Sequence, residues 1–151
     1  MPDAERVCVV AGAGAWPFYL ATHAWVGQEK RRFGDATRLG FYSGRQIQGL
    51  VPRIQHVVPS VPLTSETAAT LALSGDPTER RVGGALAAAL HDGTAAAERV
   101  EVVLLSGAEE ADTVTIEPVP HDGDAAWTLF QRFADLDRLR RAGSTVDLGG
   151  G

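Results

Sequence analysis

The stretch Phe33-Gly-Asp-Ala-Thr-Arg-Leu-Gly-Phe-Tyr-Ser-Gly-Arg-Gln-Ile-Gln-Gly-Leu-Val-Pro-Arg-Ile-Gln-His-Val-Val58 joins the strongest β pattern of the chain to a basic cluster. From Thr37 to Ser43 the residues alternate, with Leu39 and Phe41 on one face and Arg38, Gly40 and Tyr42 on the other. Ser43-Gly44 is a turn signal, and Arg45 to Val58 reads as a second, longer strand running back. Pro52 has no backbone donor, so that strand is expected to bend there or to lie at a sheet edge. Beyond it Ile54, His56 and Val58 share one face, while Arg53 and Gln55 share the other. The expectation is a bent hairpin with a core side of Leu39, Phe41, Ile54 and Val58. Arg38, Tyr42 and Arg53 form the side left for function.

On the N-terminal side, Arg6 to Val10 reads as a buried first strand, followed by a small-residue turn and one or two helical turns over Trp16–His23. Pro17 suits the start of that helix, and Ala24–Gln28 reads as a short strand. On the C-terminal side Thr64 and Asp76 each have the chemistry of a helix N-cap, and Gly75 and Gly93 of helix ends. The second of these two helices buries Val82, Ala85, Leu86, Ala89 and Leu90. Gly83 and Gly84 weaken it by about 1 kcal/mol each relative to alanine, so they imply close packing against a neighbour. Three strands follow, at Glu98–Ser106, Thr113–Val119 and Trp127–Phe133. A short helix capped by Asp135 then carries Leu136 and Leu139 as far as Gly143.

Strands at both ends and helices in the middle predict an α+β fold. The expected architecture is a single domain over residues 1–148, with a curved, mostly antiparallel sheet or partly closed β-barrel, two central helices and a short C-terminal helix. Gly149-Gly-Gly is expected to be a disordered tail. A length of 151 residues suffices for one domain with a real core.

The chain carries a formal net charge of −5, unevenly spread. Residues 1–60 hold seven basic and four acidic residues, whereas residues 61–151 hold seven basic and fifteen acidic. An acidic whole argues against indiscriminate nucleic-acid binding, while a basic N-terminal half leaves room for a local anionic ligand. Thirteen of the fourteen basic residues are arginine, which in so alanine- and glycine-rich a chain reflects composition before function. No apolar run approaches the roughly 18 residues of a membrane span. The acidic start, Met1-Pro-Asp-Ala-Glu-Arg6, is not a secretory signal, so a cytoplasmic location is expected. The lone Cys8 sits in an apolar run and reads as a core residue.

Catalytic signatures fail on their own terms. Gly12-Ala-Gly14 follows a strand, but Pro17 stands where a dinucleotide loop needs its third glycine. Ser43 and Ser106 lack the frame of a nucleophile elbow. His91-Asp-Gly93 and His121-Asp-Gly123 would bind a metal only if the two turns met in space, and Asp-Gly is ordinary turn chemistry. His56 shares an apolar face and reads as a core histidine. No cofactor or metal is called for.

What remains is arginine beside aromatic residues, the pairing that stacks bases and binds phosphates. Gly34-Asp35, Leu39-Gly-Phe-Tyr42 and Ile47-Gln-Gly49, followed by Ile54 and Val58, resemble the PUA-like superfamily in its ASCH and EVE members. The resemblance implies a small pseudo-barrel whose concave pocket holds a base or nucleotide. It makes Trp16, Trp25 and Tyr42 pocket-wall residues, and Arg45 and Arg53 anion contacts. Three readings stand at this level. The first is a non-catalytic recognition domain for a nucleobase, nucleotide or nucleic-acid segment, with its pocket beside the 37–58 hairpin. The second is a hydrolase or nuclease acting through Asp35, His56 or the two His-Asp-Gly turns, and the third an accessory module that binds a protein partner.

Overall fold

The structure, a computed structural model, describes residues 5–11, 14–28, 36–93, 98–120, 132–136 and 139. In chain order its elements are β1 (Arg6–Ala11), α1 (Ala15–Thr22), β2 (Ala24–Gln28), β3 (Arg38–Ser43), β4 (Gln46–Ile47), β5 (Leu50–Val51) and β6 (Ile54–Pro62). Then come α2 (Ser65–Ala72), α3 (Pro77–Asp92), β7 (Arg99–Leu105), β8 (Val114–Thr115), β9 (Val119–Pro120) and β10 (Arg132–Asp135). The α+β class holds, with α2 and α3 as the central helix pair. The C-terminal helix beyond Leu139 and the 149–151 tail lie outside the described residues.

The chain forms two compact units. Unit 1 comprises Met1–Pro17, Phe33–Arg53 and Ser106–Gly151; unit 2 comprises Phe18–Arg32 and Ile54–Leu105. Among the described residues unit 1 holds an open sheet in the order β10-β1-β3-β4-β9, together with the pair β5-β8. All its pairings are antiparallel except β1 with β3, where Val7 faces Arg38 and Val10 faces Phe41. A parallel pair needs a long crossover. Here the chain supplies one by leaving after β1 to enter unit 2 and returning for β3. Val7, Val9, Ile47, Val51, Ile116, Val119, Leu136 and Leu139 make the core of this unit.

The 45–58 segment is not one bent strand. It breaks into β4, β5 and β6, which enter three different sheets. Gly49 is one break: its carbonyl accepts from Ile116 N–H at 2.8 Å, and an added Cβ would stand 2.9 Å from the Ile116 oxygen. Pro52 is the other. Its carbonyl still accepts from Leu39 N–H at 3.1 Å, but the missing donor interrupts the ladder, and the chain leaves unit 1 one residue later, after Arg53. Leu39 and Phe41 are core in unit 1, as expected, whereas Val58 packs on the core of unit 2.

Unit 2 is an antiparallel sheet, β2-β7-β6, with α2 and α3 on one face. Val100, Val102 and Leu104 alternate along β7 toward the helices and meet Ala68, Val82, Leu86 and Ala89. Thr64 Oγ1 accepts from Thr67 N–H at 3.1 Å, and Asp76 accepts from Thr78 N–H at 2.9 Å with Pro77 at the first helical position. Gly93 closes α3 at φ 64°, but α2 ends at Leu73 before Gly75 is reached. The two interior glycines of α3 differ. An added Cβ at Gly83 would lie 2.6 Å from Ala72 N and 2.8 Å from Ala68 O, so α2 and α3 meet there backbone to backbone. Gly84 faces open space. Among the described residues no helix is long and apolar enough to cross a membrane.

This contrast has a measurable consequence. Gly84→Ala is expected to stabilise the protein by about 0.5–1 kcal/mol through helix propensity alone. Gly83→Ala is expected to destabilise it by about 1–2 kcal/mol, because overpacking against backbone outweighs that gain. Urea denaturation of the two variants checks both signs.

Candidate ligand-binding site

Ser43 and Gln46 close the β3–β4 hairpin around a two-residue turn, Gly44-Arg45. Both residues have positive φ, 62° and 61°, the backbone of a type I′ turn whose twist matches that of the flanking strands. Glycine adopts this without penalty, but an arginine in the left-handed region is uncommon and strained by about 1 kcal/mol or more. Gln48 Nε2, just past β4, donates to the Ser43 carbonyl at 2.9 Å and braces the turn. The result is an exposed Arg45 on a rigid tip.

Behind the tip, Trp16 packs on Phe41 of β3 with ring centroids 5.6 Å apart and planes tilted by 50°. Phe41 is buried, while Trp16 is half-buried. Tyr42 is also half-buried and packs against the apolar core of unit 1. Trp25 belongs to unit 2. It is 5% exposed, and its indole lies over Gly27, where a Cβ would fall 2.2 Å from a ring carbon.

Arg38 is the first correction to the sequence reading. Expected on the functional side of the hairpin, it is buried at 4% exposure. Its Nε donates to Glu5 Oε2 at 3.0 Å, and its Nη1 to the carbonyls of Val51 at 3.0 Å and Asp112 at 2.5 Å. Alternation predicts that one face of β3 is open, but Glu5, Val51 and Asp112 close over the Arg38 side chain. Arg53 stands opposite Arg38 across an isolated antiparallel bridge. Its Nη2 donates to the other oxygen of Glu5 at 3.1 Å, with the Arg53 side chain 44% exposed. Glu5 is therefore shared between one buried and one open guanidinium, a partner the spacing of the sequence did not suggest.

The residues considered for hydrolysis do not form a machine among the described residues. Ser106 is fully buried, accepts from Arg53 N–H at 2.8 Å and lies 2.6 Å from Thr113 Oγ1. Thr113 in turn donates to the Gly107 carbonyl at 2.6 Å, so the Ser106 proton is directed to Thr113 in a closed relay. His56 is exposed, not the core histidine expected. A register shift between Ile54 and His56 sets it opposite Leu104, on the rim of a cavity of about 300 Å³ in unit 2 lined also by Val58, Leu71, Glu79 and Val82. His91 lies in the last turn of α3, where a basic group complements the helix dipole. Asp35, His121, Asp122 and Gly123 lie outside the described residues. The Gly12-Ala-Gly14 motif, whose first two residues lie outside the described ones, is not followed by a βαβ unit: the next strand, β2, pairs antiparallel with β7.

Another arginine missed by sequence reasoning is Arg81 of α3. It donates to Gln55 Oε1 at 2.7 Å, to the Leu105 carbonyl at 2.8 Å and to the His23 carbonyl at 3.3 Å. His23 itself ends α1 at φ 56°. Arg38 in unit 1 and Arg81 in unit 2 thus each gather more than one backbone carbonyl, the first buried and the second exposed. Each role needs partners distant in sequence.

No family model matches the chain, and no curated protein matches it. It is similar to three crystal structures of ASCH from Zymomonas mobilis. ASCH itself is 12% identical, with 76% of this chain and 73% of that chain covered and a TM-score of 0.42. A tyrosine-to-phenylalanine mutant of it is 10% identical, over 76% and 75%, with a TM-score of 0.45. A serine-to-alanine mutant is 10% identical, over 80% and 77%, with a TM-score of 0.46. Each of the three is a structure of an ASCH protein.

The two arginines on Glu5 are expected to separate by burial. Arg38→Leu strips the Val51 and Asp112 carbonyls of their donor and leaves Glu5 half-paired, for an expected loss of about 3 kcal/mol. Arg53→Leu removes a largely solvated pair and is expected to cost under about 1 kcal/mol. Denaturant midpoints of the two variants, at equal slope, give the comparison.

Proposed function

We propose that the chain is a non-catalytic recognition domain that binds a nucleobase, a nucleotide or a nucleic-acid segment beside the 37–58 hairpin. The observation that carries this reading is the partly open indole of Trp16, seated on Phe41 of the strand whose hairpin tip presents Arg45. A half-buried indole seated on a core ring is a fixed aromatic surface of the kind on which a base gains about 1–3 kcal/mol by stacking. An arginine at a fixed tip supplies the planar, always charged donor set that phosphate oxygens accept. Tyr42 adds a half-buried ring to the same hairpin, and Arg53 a second open guanidinium in the same unit. The basic balance of residues 1–60 favours an anionic ligand in this part of the chain even though the whole is acidic.

The test is binding to a panel of short single-stranded RNA and DNA and of nucleoside monophosphates, read by fluorescence anisotropy and calorimetry at low salt. The parent chain is expected to bind at least one member. Arg45→Ala combined with Arg53→Ala is expected to weaken that binding at least about tenfold and, for a strand, to reduce the salt slope by about 1–2. Trp16→Ala is expected to weaken it by a further factor that Trp16→Phe largely restores. Unchanged binding in the double arginine variant, or none by the parent, overturns the reading. Trp25 is left out of this test because its buried indole would report on the folding of unit 2.

A further inference from the structure

Glu5 stands immediately before β1, and each of its carboxylate oxygens is held by a different arginine. Oε2 accepts from Arg38 Nε at 3.0 Å and Oε1 from Arg53 Nη2 at 3.1 Å. The three groups grade from inside to outside, with side-chain exposures of 5% for Arg38, 30% for Glu5 and 44% for Arg53. Solvent therefore reaches the carboxylate, although both guanidinium groups are directed at it. Arg38 is anchored independently of Glu5 by the Val51 and Asp112 carbonyls, which both accept from its Nη1.

Two guanidinium groups converging on one pair of acceptor oxygens also form the donor arrangement that a phosphate accepts. The charges point the same way. Among the described residues two arginines and one glutamate sum to +1, a cationic cluster even with the carboxylate in place. If the carboxylate turns away, the remaining +2 is matched by a phosphate monoester, which carries about −1.5 to −2 at neutral pH. A phosphodiester or a simple monoanion brings only −1 and gains nothing over the tethered carboxylate, whose attachment next to β1 holds it at high local concentration.

We infer that Glu5 is the resting occupant of a phosphate-monoester site formed by Arg38 and Arg53, and that a ligand bearing a terminal phosphate binds by displacing it. The inference rests on the proposed role of Arg53 as an anion contact. It adds the class of ligand, a nucleotide or a strand end with a monoester phosphate, and a built-in competitor that selects for it.

The test titrates inorganic phosphate into the full chain and into Glu5→Gln, with sodium chloride at matched ionic strength as control, read by calorimetry and by the thermal midpoint. Glu5→Gln keeps the shape of the side chain and removes the competing charge. It is expected to bind phosphate about tenfold more tightly than the parent, and its midpoint is expected to rise with phosphate more than the parent's does, by mass action. The gain is expected to vanish in the Glu5→Gln, Arg53→Ala double variant. Equal phosphate affinity in parent and Glu5→Gln, or a gain that survives loss of Arg53, overturns the inference. Should Glu5→Gln fail to fold with its buried arginine unpaired, Glu5→Asp serves instead. One methylene shorter, it keeps the charge but cannot span both arginines, and it must show a smaller gain of the same sign; no gain overturns the inference equally. The nucleic-acid panel and the phosphate titration fail separately. A parent that binds no member of the nucleic-acid and nucleotide panel removes the proposed function, whereas a Glu5→Gln that gains nothing removes only the displacement.

Discussion

A guanidinium inside a protein must be met by acceptors on every side, and Arg38 imposes that condition on unit 1. Its fixed fork of donors collects Glu5 from before β1, the Val51 carbonyl from β5 and the Asp112 carbonyl from the turn before β8. Those partners are 33, 13 and 74 residues away in sequence. Burying the charge is unfavourable by several kcal/mol unless all of them arrive together. Strand registers that misplace any one partner are thereby penalised, and the pairings of Val7 and Arg53 with Arg38 follow from the same anchoring.

The rest of unit 1 can be read as what this anchor requires. β1 and β3 run parallel because the chain builds the first part of unit 2 between them. The return from the hairpin is cut at Gly49, where backbone meets backbone at Ile116, and at Pro52, which cannot donate. Each cut sends the next few residues to a different sheet. The Ser106–Thr113–Gly107 relay then fastens Arg53 at the point where the chain passes from unit 1 to unit 2. The buried Ser106 is thus engaged on both sides, by Arg53 N–H and by Thr113.

Four arginines that are equivalent as letters carry four different duties. Arg38 is an interior anchor, and Arg81 ties α3 to Gln55, Leu105 and His23. Arg53 divides itself between Glu5 and solvent. Arg45 is held at a positive φ that most residues avoid, at the tip of a hairpin. Strain of this kind persists only where the surroundings over-determine it, here the pairing of Ser43 with Gln46 and the brace from Gln48. The duties track burial and the supply of acceptors, neither of which is a property of the residue type.

Local chemistry was legible in the sequence. The runs Arg6–Val10, Ala24–Gln28 and Thr37–Ser43, the caps Thr64 and Asp76 with Pro77, and the left-handed Gly93 all act through neighbours a few residues away, and all appear as read. The α+β class follows from their order. Alternation along β3 was misleading about Arg38 because alternation describes two faces without saying whether the second is covered. The return strand was misread as continuous because Gly49 breaks it through contact with Ile116, 67 positions on. His56 moved from core to rim because a register shift, set by the partner strand, turned it. Of the named site residues, sequence placed Tyr42 and Arg45 on one hairpin, but the seat of Trp16 on Phe41 and the sharing of Arg53 with Glu5 depend on distant segments meeting. Sequence by itself determined the capped helices α2 and α3 and the strands β1, β2 and β3, since capping and periodicity are short-range. Which arginine is buried, which is shared and which is presented was decided only in three dimensions, where each charge finds its acceptors across the chain.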